Sequence, residues 1–172
     1  MMQMLAAGGM PVLTDGIRAP DEDNPRGYFE FEPVKTLQTD STWVRDAVGK
    51  AVKVVHLLLP SLPAEFTYRV ILMKRPLDPV LESQSAMLKR LGRQSAESNR
   101  DNLKSAFAAQ MADIERFLTT QPNFSYLTVE FDELFRAPVD QARAIQCFLG
   151  RPLDVAAMAA AVDPKLGTRR HG

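Results

Sequence analysis

Apolar and polar positions along the chain fall into two alternating patterns. Residues 51–59 (Ala-Val-Lys-Val-Val-His-Leu-Leu-Leu) and 68–73 (Tyr-Arg-Val-Ile-Leu-Met) are short apolar or β-branched runs bounded by prolines or polar residues. Such runs mark strands covered on both faces, and these two predict the centre of a sheet. Residues 124–131 (Phe-Ser-Tyr-Leu-Thr-Val-Glu-Phe) predict another strand, and 11–13 a brief one ended by Thr14-Asp15-Gly16. Elsewhere the apolar spacing is helical. Leu37, Val44, Ala47 and Val48 predict a helix over 34–48 closed by Gly49. Leu77, Val80, Leu81, Gln84, Leu88 and Leu91 predict a second, ended by Gly92, with Pro76 and Pro79 in a first turn that needs no amide donors. Leu103, Phe107, Met111, Ile114 and Leu118 give a third, with Asn99 or Asp101 as its cap. A fourth enters at Pro138, turns Ala142, Ile145, Phe148 and Leu149 inward and stops at Gly150. Residues 1–7 read as a helix stopped by Gly8-Gly9, and an Ala-rich helix starts near Asp154.

Strands alternating with helices across short turns predict a three-layer α/β fold, a mainly parallel sheet with helices on both faces. The 172 residues suffice for one domain spanning 1–172. Hydrophobic residues make up 45% and charged residues 24%, which favours a globular fold over disorder. The 21 basic and 21 acidic residues cancel. That balance removes the global electrostatic case for nucleic acid or an anionic membrane, so an anion site has to be built locally. No apolar run approaches the roughly 18 to 20 residues of a membrane span, and no leader pattern opens the chain, so a cytoplasmic location is expected. Cys147 is the single cysteine, expected to be a buried thiol on the apolar side of its helix. Trp43 reads as a core or interface aromatic, and no Asp/His cluster suggests metal ligands.

The segment Tyr-Arg-Val-Ile-Leu-Met-Lys-Arg-Pro-Leu-Asp-Pro-Val-Leu-Glu-Ser, residues 68–83, joins a strand closing on Arg75 to a helix carrying Ser83 eight residues later. It resembles the phosphate-gripping segment of the sulfotransferase family, in the P-loop nucleotide-binding superfamily, and the resemblance runs nearly end to end. What it implies is a co-substrate, 3′-phosphoadenosine 5′-phosphosulfate, whose 3′-phosphate is held by Arg75 and Ser83. A planar guanidinium at a strand's carboxyl end offers a bidentate fork to a phosphate, and the following helix start favours the same charge. The family usually has Asp after that arginine, where this chain has Pro76. Read alone, Arg75 is a solvated strand-end residue and Ser83 a surface helix residue.

Sulfuryl transfer to a hydroxyl or amine removes the acceptor's proton and stabilises the leaving phosphate. The resemblance implies His56 as the base and Lys53 as the cation for this work. The two are three apart, so in a regular strand they point to opposite faces and one alone matches the family register. The other reading of His56 is a satisfied core residue. Glu130 and Asp132, two apart at a strand end, read as capping or ion-pairing groups rather than an acid/base pair. Residues 24–30 (Asn-Pro-Arg-Gly-Tyr-Phe-Glu) resemble a loop near the acceptor side of bacterial members. The tail with Arg169 and Arg170 resembles their basic end, and also reads as a solvated terminus. His171 carries no signal.

Family members open with a strand and a Gly-Thr or Gly-Ser phosphate loop bearing Lys or Arg. Met1-Met2-Gln-Met-Leu resembles the helix after that loop, and no such Gly-rich sequence occurs later in the chain. The expectation is therefore a domain beginning after its first strand and phosphate loop, weak or inactive as it stands, through a mis-set start or a true truncation. The expected partner is a small-molecule or carbohydrate acceptor, with homo-oligomerisation open. The alternatives are a non-catalytic binding or assembly module of the same fold and, behind it, a small-molecule phosphotransferase.

Overall fold

A computed structural model describes residues 1–17, 27–75 and 100–163. At its centre two strands, β1 (Tyr68–Lys74) and β2 (Phe124–Glu130), run parallel, in register from Tyr68 opposite Phe124 to Lys74 opposite Glu130. Among the described residues five helices accompany them: α1 (Met2–Ala7), α2 (Arg100–Thr120), α3 (Phe131–Arg136), α4 (Pro138–Leu149) and α5 (Val155–Ala160). The described residues thus form a mixed α/β structure around a two-stranded parallel sheet.

The two-residue alternation of a strand explains why both runs are apolar throughout. Ile71, Met73, Leu127 and Val129 join a cluster with Met4 and Leu5 of α1, Ala142, Ile145 and Leu149 of α4, and Met158 of α5. Val70, Leu72, Phe124 and Tyr126 join another with Leu59 and with Ile114 and Leu118 of α2. The sheet therefore has apolar packing on each face. Tyr68 stacks on Phe124 across the pair with ring centroids 4.7 Å apart.

Several expected elements take a different form. The helix expected over 34–48 is two 3-10 turns, Glu32–Thr36 and Thr42–Ala47. Between them Asp40 accepts from the Thr42 amide at 3.0 Å and its hydroxyl at 2.7 Å, a local alternative to helical bonding. The apolar positions still meet: Val34, Leu37, Trp43 and Val44 form a third buried cluster, with Phe31 set edge-on to Trp43 at 5.4 Å. The strand expected over 51–59 pairs at one point, a parallel bridge of Ala51 to Val12, and then turns at His56 into a 3-10 segment, His56–Ser61. Pro60 lies inside that turn and has no amide to give a ladder. Cys147 is exposed, contrary to expectation. The buried stripe of α4 is Ala142, Ile145 and Leu149, and Cys147 lies two residues, about 200° of helical rotation, past Ile145. Leu103 is 48% exposed, whereas Ile114 and Leu118 near the other end of α2 are buried. The helix expected over 77–91 lies outside the described residues.

The helix stops behave as their residues require. Asp154 caps α5, accepting from the Ala157 amide at 2.9 Å. Gly8 ends α1 so close to α5 that a Cβ there would lie 2.5 Å from Met158 Cγ. Gly150 ends α4 at φ 61°, ψ 36°, and a Cβ on it would lie 2.9 Å from Arg69 Nη1. Arg69 reaches from β1 to donate to the Phe148 carbonyl at 3.1 Å and to the Leu149 carbonyl, placing a cation where the helix dipole is negative.

Gly150→Ala forces a left-handed Cβ into that guanidinium and is expected to destabilise the fold by about 1 to 2 kcal/mol. Urea denaturation reads this directly. Combining it with Arg69→Met, which removes the atoms in the way, is expected to give less than the sum of the single losses, and strict additivity would contradict the contact.

Candidate functional site

Because β1 and β2 are parallel and in register, their carboxyl ends share one edge, where ligands of such sheets generally sit. β1 delivers Lys74 and Arg75 there, and β2 runs straight into α3 at Phe131. Lys74 forms an ion pair with Glu115 of α2. The hydrogen bond to Glu115 is the main cause of a Lys74 pKa raised above its ordinary value; desolvation opposes it, and the charges of Glu115 and Glu130 add to it. Arg75 is exposed and lays its guanidinium over Phe131, Cζ 4.5 Å from the ring centroid. A cation over an aromatic face is attracted by the ring's quadrupole. The first phosphate-binding candidate thus stands at the carboxyl edge of the sheet. Ser83, its expected partner, lies outside the described residues, as do Arg169, Arg170 and His171.

Lys53 and His56 have separate surroundings. The Lys53 ammonium lies 3.3 Å from Glu30 Oε1 and 3.5 Å from the Tyr28 carbonyl, on the loop expected to lie at the acceptor side. His56 opens the 3-10 turn and sets its ring edge-on to Phe107 of α2, centroids 5.5 Å apart. Its Nε2 is buried without a hydrogen-bond partner. The two residues do part company, but the cause is the change from extended chain to 3-10 turn rather than the alternation of one regular strand. Neither hydrogen-bonds Arg75.

Thr14 and Asp15 hold the loop that receives Lys53. Asp15 Oδ2 accepts from the Glu32 amide at 2.5 Å and Oδ1 from the Ile17 amide at 3.0 Å, and Thr14 Oγ1 donates to the Glu30 carbonyl at 2.8 Å. Within this clamp Phe29 adopts φ 52°, left-handed backbone that a bulky residue rarely takes. The Asp15 carboxyl is held below the ordinary carboxylate range, first by the Glu32 amide and then by that of Ile17.

Glu130 and Asp132 sit where β2 passes into α3. Glu130 occupies the N-cap position of α3 without a side-chain cap bond, and Asp132 lies in its first turn. Among the described residues no group of three His, Cys, Asp or Glu side chains is placed to hold a metal ion, and no helix is long and apolar enough to cross a membrane.

No family model, curated protein or solved structure has significant similarity to this chain. Its reading therefore rests on its own residues. Three of them were not marked by the sequence. Arg69 was visible as a charge inside an apolar run, Asp15 as part of a turn, and Phe131 as the last apolar residue of a strand; none of these signals names the partner that the fold supplies.

The Asp15 clamp has a pH signature. A carboxyl whose folded pKa lies below its unfolded one contributes stability that is present above the unfolded value, about 3.9, and is lost as pH falls through the folded value. Asp15→Asn is expected to be less stable than the parent near neutral pH, with the difference shrinking on acidification. Thermal unfolding of both proteins across the acid range measures this, and a difference independent of pH would contradict the role of the charge.

Proposed function

We propose that this chain is a sulfotransferase-like domain that binds a 3′-phosphorylated adenine nucleotide at the carboxyl edge of β1. The reaction it serves on this reading is transfer of a sulfuryl group from 3′-phosphoadenosine 5′-phosphosulfate to a hydroxyl or amine. The observation that carries the proposal is the setting of Arg75, an exposed guanidinium at the end of a parallel strand, stacked on Phe131 at 4.5 Å. A guanidinium offers a planar, bidentate fork, which suits a phosphoryl group better than the point charge of a lysine would. Ser83 adds a hydroxyl from the segment that follows. Substrate-side chemistry falls to His56 and Lys53, His56 as proton acceptor and Lys53 as the cation for the leaving phosphate.

A binding module that does not turn over is the second reading, and one observation favours it. Lys53 is engaged by Glu30 and the Tyr28 carbonyl, and His56 rests its buried Nε2 in an apolar setting beside Phe107. A histidine so placed is poorly supplied with a proton path to an acceptor. Binding without turnover needs Arg75 and Ser83 alone. A phosphotransferase, the third reading, would prefer ADP to the 3′-phosphorylated nucleotide.

Calorimetric titration with adenosine 3′,5′-bisphosphate tests the proposal. Arg75→Ala is expected to weaken binding by about 1.5 to 3 kcal/mol, the range for a lost charge-assisted hydrogen bond. Phe131→Leu, which removes the stack and keeps the cation, is expected to give a smaller loss of about 0.5 to 1 kcal/mol. Equal affinity in parent and Arg75→Ala overturns the assignment. Sulfated product from the parent chain would exclude the binding-module reading.

A further inference from the structure

The end of β1 carries two cations in succession, and the fold gives them different company. Lys74 is the last residue of the strand and Arg75 follows it. Successive side chains of a strand leave on opposite faces. Val70 and Leu72 pack with Ile114 and Leu118 of α2, and Lys74 continues that row to its ion pair with Glu115 of the same helix. Ile71 and Met73 pack on the other face with Phe135 of α3. Arg75 continues this second row over Phe131, whose ring meets that of Phe135 edge-on at 5.0 Å. The carboxyl end of the strand is thus bracketed by an ammonium from the α2 side and a guanidinium from the α3 side.

Glu115 stands at the border between α2 and the sheet. Ile114 before it and Leu118 after it are buried, whereas the Glu115 side chain is 32% exposed and that of Lys74 36%. An ion pair so open to water adds little to stability, and a lysine, a compact charge on a flexible stem, can change partner. An anion at Arg75 stands near other carboxylates as well, since Glu130 is the register partner of Lys74 and acts on its charge, and Asp132 lies two residues further on. Lys74 is the neighbouring cation that offsets them, and Glu115 holds it. A phosphomonoester carries a charge of about −1.5 to −2 at neutral pH, more than the single charge of a carboxylate. It can therefore take Lys74 from Glu115 where a singly charged ligand cannot.

We propose that Lys74 is a second phosphate-binding cation of the nucleotide site, and that Glu115 is a positioning residue that sets the site's affinity by holding this cation until a phosphomonoester displaces it. The inference rests on the nucleotide reading above and adds its control. In the exchange the Lys74 ammonium turns from Glu115 to a phosphate oxygen, and the Glu115 carboxylate is rehydrated at the helix surface. Selectivity follows from the charges. A terminal phosphomonoester engages Lys74 and Arg75 together, whereas a phosphodiester, with one charge, engages Arg75 and leaves Lys74 on Glu115.

Calorimetric titration of the full chain with adenosine 3′,5′-bisphosphate at fixed ionic strength tests this. Glu115→Gln is expected to bind about threefold to fivefold more tightly than the parent, and Lys74→Met more weakly by a similar factor. Lys74→Arg, which keeps the charge, is expected to stay within about twofold of the parent. In a Lys74→Met background Glu115→Gln is expected to bring almost no gain, because the cation it would release is gone. Urea denaturation of the same proteins separates this role from a structural one: Glu115→Gln is expected to be no more stable than the parent although it binds more tightly. A gain from Glu115→Gln that persists undiminished without Lys74 would mean that the carboxylate only repels the ligand through space, and overturns the proposal. So does unchanged affinity in Glu115→Gln while Arg75→Ala weakens binding, an outcome that leaves the nucleotide reading standing. Equal affinity in the parent and Arg75→Ala overturns that reading and this inference together.

Discussion

The in-register parallel pairing of β1 with β2 is the constraint on which the rest of the molecule depends. Parallel strands cannot be joined by a tight turn, so the chain between them has to cross over, and α2 lies on that crossover. Because both faces of the pair are apolar, both require cover. Helices α1, α4 and α5 pack with one face, and α2 with the 3-10 turn at His56 packs with the other. Arg69 adds a polar tie between the strand and its helical cover, running from near the start of β1 to the end of α4. The same parallelism brings Arg75 and Phe131 to one edge, since both follow directly on strand ends in register.

The proposed nucleotide site is a consequence of where a strand stops. Arg75 meets Phe131, a residue 56 positions later in the chain, through the register that sets Lys74 opposite Glu130. Lys53 and His56 owe their settings to a different transition, from extended chain to 3-10 turn. That transition aims one toward the loop around Tyr28 and Glu30 and the other toward α2.

Legibility followed the range of the forces involved. Strands β1 and β2 were readable because continuous apolar runs reflect packing on both faces, and the stop of α4 at Gly150 because left-handed backbone selects glycine. The helix expected over 34–48 failed because Thr39-Asp40-Ser41-Thr42 bonds to its own backbone and splits the segment, although its apolar residues still reach one cluster. Residues 51–59 carried a strand-like pattern that Pro60 and the turn at His56 cut short. Cys147 was misplaced because its apolar neighbours suggested a buried face that the actual stripe, Ala142, Ile145 and Leu149, leaves on the other side. At the candidate site, Arg75 was legible as a strand-end cation. Phe131 beneath it was not, because the contact depends on strand register, which no local pattern encodes.

The proposed site requires that Arg75, at the carboxyl edge of β1, hold a nucleotide phosphoryl group. The most direct measurement is a crystal structure of the chain soaked with adenosine 3′,5′-bisphosphate. The 3′-phosphate is expected within hydrogen-bonding distance of both the Arg75 guanidinium and the Ser83 hydroxyl, with Phe131 still beneath the arginine. A nucleotide bound elsewhere, with Arg75 and Ser83 aimed at different regions of solvent or core, would contradict it.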